Sequence, residues 1–90
     1  AKVCDRTSVF LEHAYPLWDL SYKQNLDKVL SYLDAFGNLY SVGRQGGFVY
    51  GGLADCLDIG LVTAKFVCEG RDRSQWPAER RKFDDYTVVD

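Results

Sequence analysis

A chain of 90 residues with 47% apolar content is enough for one small domain, but at this size only about 60 to 65% of the unfolded surface is buried, so a partner, metal or disulfide commonly adds stability. The 11 basic and 13 acidic residues leave a net charge of −2, and without a basic face carrying interleaved aromatics the sequence argues against a nucleic-acid partner. No apolar run reaches the roughly 20 residues of a bilayer span, and Ala1-Lys2-Val3-Cys4-Asp5-Arg6 has no signal-peptide core, so the chain reads as soluble and cytoplasmic with no transmembrane segment. The absence of methionine fits a segment of a longer polypeptide and fits processing equally well.

Cys4, Cys56 and Cys68 show no CxxC spacing, and His13 is the single histidine, so a four-ligand zinc site is excluded. Thr7 to Ala14 holds Val9, Phe10 and Leu11 and breaks at Tyr15-Pro16, which predicts a strand entering a turn. From Ser21 the period changes: Tyr22, Leu26, Val29, Leu30, Leu33 and Phe36 share one face of an amphipathic helix and are expected in the core. Ser21 with Gln24 predicts a capping box and Gly37 a C-terminal stop.

Leu39-Tyr40-Ser41-Val42 reads as a short strand. It is followed by the most informative stretch, Gly43-Arg44-Gln45-Gly46-Gly47-Phe48-Val49-Tyr50-Gly51-Gly52, a glycine-rich strand-to-helix turn that lets backbone approach a ligand. The next helix, from Ala54 or Asp55 to Glu69, is apolar on most sides through Leu57, Ile59, Leu61, Val62, Phe66 and Val67, the pattern of a helix buried in a larger body, with Cys56 and Cys68 as small buried hydrophobes. Gly70 ends it, Arg71 to Gln75 is a solvated linker, and Trp76-Pro77 opens a short helix running towards Phe83, with no clear period from Asp84 to Asp90. The expected division is therefore 1–70, strand, amphipathic helix, strand, turn and buried helix, and 71–90, a polar tail.

The strand ending in Gly43-Arg44, the spacing through Gly46, Phe48 and Tyr50, and the helix with Gly60 and Ala64 resemble the C-terminal part of flavoproteins of the amine oxidase superfamily. Tyr15-Pro16, Tyr22, Leu26, Leu30, Leu33 and Asn38-Leu39 extend the resemblance over about Phe10 to Val67. The superfamily includes protoporphyrinogen-oxidase-like enzymes, desaturases and, more distantly, UDP-galactopyranose mutases. The resemblance implies an α+β fold, a strand-helix-strand-helix fragment of an FAD-binding Rossmann-like domain. It also implies that Gly43, Arg44, Gly46, Gly47, Tyr50, Gly51 and Gly52 lie beside FAD, whose adenosine half is gripped by a GxGxxG motif that this chain lacks. Relatives continue from the tyrosine through two asparagines to an aspartate; here Gly51-Gly52-Leu53-Ala54 stand instead and Asp55 comes one step late.

Each candidate has an ordinary alternative. Arg44 serves a structural ion pair or adds charge beside the cofactor; Tyr50 is expected to pack, Asp55 to be the N-cap of its helix, and His13 to be structural. The catalytic residues are not identifiable from the sequence. The expected function is the C-terminal flavin-binding part of an FAD-dependent oxidoreductase, inactive on its own and covered by the rest of a parent chain. Two alternatives stand beside it: part of a sugar-nucleotide mutase, or a small cofactor-free α+β interaction module whose exposed apolar helix binds a partner chain or self-associates.

Overall fold

Phe66 and Trp76 meet in the hydrophobic core with ring centroids 5.1 Å apart, joining the helix that carries Phe66 to the C-terminal helical segment. The computed structural model describes residues 2–86. In chain order it holds α1 (Tyr22–Leu33), α2 (Gly43–Gly46), α3 (Leu53–Cys68), a 3-10 turn at Arg73–Gln75, α4 (Trp76–Arg80) and a second 3-10 turn at Arg81–Asp85.

The α+β expectation is overturned. The described residues form helices and turns and no strand, so neither a strand-helix-strand-helix unit nor a Rossmann-like fragment is present. The physical reason is pairing. A strand is stable only where a neighbour takes up its N–H and C=O groups, and Thr7 to Leu11 runs exposed along its length with Phe10 at 91% exposure. At Leu39 to Val42 the chain is fixed by side chains instead: Tyr40 and Val42 pack on the core, and Tyr40 stands edge-on to Trp76 at 5.2 Å. The exposed N-terminal arm also explains a radius of gyration of 16.2 Å, against about 12 Å for a compact chain of this length.

The core is Val49, Ile59, Phe66, Trp76 and Phe83, with Tyr40, Val42, Val62 and Tyr86 against it. Burying each large side chain contributes about 1.5 to 3 kcal/mol. Two of the five, Trp76 and Phe83, belong to the segment expected to be a polar tail, so that expectation is corrected: the hydrophobic core crosses the 70/71 division. The short helix beginning at Trp76-Pro77 is present, with proline in its first turn. The reading of Asp84 to Asp90 as aperiodic falls partly on residues 87–90, outside those described.

The amphipathic helix forms, but its ends differ from expectation. Ser21 makes no side-chain cap; its N–H and Oγ both donate to Asp19 Oδ1, so the box with Gln24 is replaced by a local Asp turn. The helix closes at Asp34, before Gly37. Its stripe is only partly core: Leu30 is buried, Tyr22, Leu26 and Leu33 are half-buried, and Val29 and Phe36 are exposed.

α3 buries one face, Ile59 and Phe66 with Val62 beside them. Its opposite face is bare: Leu53, Leu57 and Leu61 are 81%, 63% and 71% exposed, and Val67 is half-exposed. The expectation of a helix buried on most sides is therefore half met. Cys68 is exposed and Cys56 half-buried, both as free thiols. Gly70, at φ 65, terminates the helix in the left-handed conformation that glycine adopts without strain.

Candidate functional site

The segment joining α1 to α3 is a tight structure closed by its own groups. Gly43, at φ 87, turns the chain into the single turn of α2, and the Gly47 N–H donates to the Gly43 carbonyl at 2.8 Å. Ser41 Oγ donates to the Gly46 carbonyl at 2.7 Å, so a side chain at Gly46 would begin 3.0 Å from that hydroxyl. Gln45 Nε2 reaches back to the Ala14 carbonyl at 2.9 Å and fastens the loop to the Tyr15-Pro16 bend.

Phe48 follows at φ 54, left-handed for a residue with a bulky side chain, a conformation that persists only when its surroundings impose it. The imposing contact is Trp18, whose Nε1 donates to the Phe48 carbonyl at 3.0 Å while the two rings lie 5.7 Å apart. Val49 turns inward to the core, and Tyr50 outward, edge-on to Trp18 at 5.1 Å. Gly51 is buried, and a Cβ there would meet Asp55 Cβ at 3.0 Å.

Gly52 is the N-cap of α3, and its N–H donates to Asp55 Oδ2 at 2.8 Å. Having no side chain, Gly52 makes only this half of a capping box. Asp55 is not the N-cap expected of it: Gly52 takes that place, and Asp55 accepts from the Gly52 N–H from the third helical position. Its carboxylate complements the positive end of the helix dipole and opposes a second anion at the same place.

The seven expected cofactor residues are thus brought together because they are neighbours in sequence. Gly43, Gly46, Gly47, Gly51 and Gly52 shape the loop. Arg44 makes no ion pair among the described residues; its guanidinium lies over the Tyr15 ring at 5.0 Å, and its buried Nε has no hydrogen-bond partner among those residues. Tyr50 is 57% exposed, so it walls a surface rather than filling the core.

Beside the loop lies a cleft of about 410 Å³ whose wall joins Phe48 and Tyr50 to Trp18, Tyr22, Phe83 and Tyr86. The volume falls in the range of small-molecule sites. Three of these aromatics, Trp18, Phe83 and Tyr86, escape the sequence reading, because Trp18 lies in an aperiodic stretch and the other two in the presumed tail. At the rim Lys23 Nζ donates to Asp84 Oδ2 at 2.8 Å.

One further bond fixes this wall. The Tyr86 hydroxyl donates to the Asp58 carboxylate; burial first, then that bond and the nearby Asp58 and Asp55 charges, push the hydroxyl up from 10.0 to about 12. On the far side of α1, Asp34 accepts from Arg80 and Arg73. The Arg80 bond is the main cause holding its carboxyl below the ordinary 3.8, against an opposing effect of burial.

Comparison with family models, characterised proteins and solved structures finds no match to this chain. Among the described residues no helix is long and apolar enough to cross a membrane.

Proposed function

We propose that this chain is the C-terminal flavin-binding part of an FAD-dependent oxidoreductase resembling the amine oxidase superfamily, and that alone it neither holds FAD tightly nor turns over. One observation carries the reading. The Gly43-to-Tyr50 pattern leads directly into a helix whose outer face, Leu53, Leu57 and Leu61, is bare. Contiguous apolar surface of this kind is costly in water and marks a contact face; in a parent polypeptide it packs under the rest of the chain.

Asp55 already occupies the start of α3, so the loop contributes packing and shape against the neutral ring, while phosphate binding belongs to a motif elsewhere in the parent. The flavin supplies the redox chemistry when bound, accepting a hydride or electron pair from a C–N or C–C bond. The three free thiols agree with a reducing, cytoplasmic setting.

The test is a flavin spectrum after dialysis against buffer, recorded for this chain and for a chain extended through an upstream GxGxxG segment. Flavin retained by the extended chain alone is the expected result; flavin retained by neither contradicts it.

A second reading, a cofactor-free helical interaction module, draws support from the closure of the loop by Ser41, Asp55 and Trp18. It predicts no flavin in either chain, together with a concentration-dependent rise in molecular mass through the α3 face.

A further inference from the structure

The cleft beside the loop is walled by six aromatic rings that meet at open angles. Trp18 stands at 81° to Tyr50 and at 56° to Phe48, and Phe83 at 50° to Tyr86, with centroids 5.1 to 5.8 Å apart. Trp18 is held by its bond to the Phe48 carbonyl, Phe48 by its left-handed backbone, and Tyr86 by Asp58. A flat ligand stacks best between parallel walls, whereas rings set at such angles form a corner, the shape that receives a compact, rounded group. The face of each ring is negative, so the group it draws in is a cation.

The charges around the cleft point the same way. Among the described residues Lys23 and Asp84 are the charged members of its lining; they are bonded at 2.8 Å, and the Lys23 ammonium also lies 3.9 Å from Asp27. Asp58 takes the Tyr86 hydroxyl, and its charge, with that of Asp55, adds to burial in raising that hydroxyl. One ammonium thus stands against four carboxylates, Asp27, Asp55, Asp58 and Asp84, which leaves a surplus of negative charge. The oxygens nearest the wall are already engaged, Asp84 Oδ2 by Lys23 and Asp58 Oδ2 by Tyr86. They offer a cation their field rather than a hydrogen bond, which suits a cation without N–H groups.

We propose that this cleft binds the quaternary ammonium head of a choline-type small molecule, its methyl groups against Trp18, Phe48 and Tyr50 and its chain leading out past Lys23 and Asp84. The volume of about 410 Å³ takes such a molecule whole. A primary amine leaves N–H donors without acceptors in the corner, and a neutral group of the same shape gains no attraction from the ring faces. A quaternary nitrogen has no lone pair to give up, so the site holds its ligand without oxidising it, and its occupancy is independent of any flavin.

The experiment titrates the isotope-labelled 90-residue chain with three compounds, following the indole N–H resonance of Trp18. They are choline, its uncharged carbon isostere 3,3-dimethyl-1-butanol, and N,N-dimethylethanolamine, whose ammonium keeps an N–H. Saturable choline binding is expected, about tenfold tighter than that of the alcohol and tighter than that of the amine. Tyr50→Ala weakens it about tenfold by removing one wall, whereas Lys23→Ala tightens it by removing the like charge; circular dichroism checks that both variants keep their helices. No saturable choline binding, equal binding of choline and the alcohol, or tighter binding of the amine overturns the assignment. So does unchanged affinity in Tyr50→Ala, or weaker binding in Lys23→Ala. Tighter binding of a trimethyl-lysine peptide than of choline overturns the small-molecule class and gives the cleft to a protein partner.

Discussion

Arg80 grips both carboxylate oxygens of Asp34, Nη1 to Oδ1 at 2.7 Å and Nη2 to Oδ2 at 3.1 Å, and so ties the C-terminal end of α1 to α4. A carboxylate at that end is disfavoured by the helix dipole; two guanidiniums reverse the sign, because Arg73 Nη2 also donates to Asp34 Oδ1 at 3.1 Å. Both members of the Arg80–Asp34 pair are less than one-fifth exposed, which sets them apart from the exposed pairs such as Lys65–Glu69. Arg80→Ala is expected to cost about 1 to 3 kcal/mol, measured as a lower urea midpoint, whereas Lys65→Ala changes stability by less than about 0.5 kcal/mol.

The same pair sets an acid limit. The Asp34 carboxyl is held below its ordinary 3.8, chiefly by Arg80. Its contribution is fully present above pH 3.8 and lost as the pH falls through the lower folded value. Stability profiles of the native chain and of Asp34→Asn are expected to converge on acidification below that point. Curves that stay parallel there contradict the assignment.

Much of the helical content was legible in the sequence, since α1 and α3 have a clear period and α3 is bounded by Gly52 and Gly70. The strands were not real, because apolar β-branched and aromatic runs such as Val9-Phe10-Leu11 specify a strand only when a second strand is available to pair. Trp76 and Phe83 went unseen as core because charged residues surround them in sequence, among them Arg71 and Glu79, which pair with each other, and the burial of Trp76 comes from contacts outside its own segment, Tyr40 and Phe66. The loop residues Gly43 to Gly52 were found by pattern alone. The cleft beside them was not, since it is assembled from three separate segments.

Trp76 is fully buried against Tyr40, Phe66 and Phe83. Trp76→Ala is expected to cost about 3 to 5 kcal/mol, enough to unfold most or all of a domain this small. A thermal melt of the variant by circular dichroism checks it; an unchanged midpoint restores the polar-tail reading.

Tyr86 reports on its own wall of the cleft. With the folded value pushed up from 10.0 to about 12, its contribution is present below pH 10.0 and lost as the pH rises towards about 12. In an ultraviolet titration Tyr86 is expected to ionise well above pH 10.0, and Asp58→Asn should move it back towards 10.0.

The central claim is that the bare face of α3 packs under the rest of a longer polypeptide, and that the glycine loop lies against a flavin held mainly by that polypeptide. It is tested most directly by the flavin content of the extended chain, purified and dialysed, with and without Leu57→Asp plus Leu61→Asp, two changes at exposed positions expected to leave this chain's own fold within about 0.5 kcal/mol. The account predicts a stoichiometric flavin in the native extended chain and its loss in the double variant. An extended chain that carries no flavin, or a double variant that keeps all of it, contradicts the account.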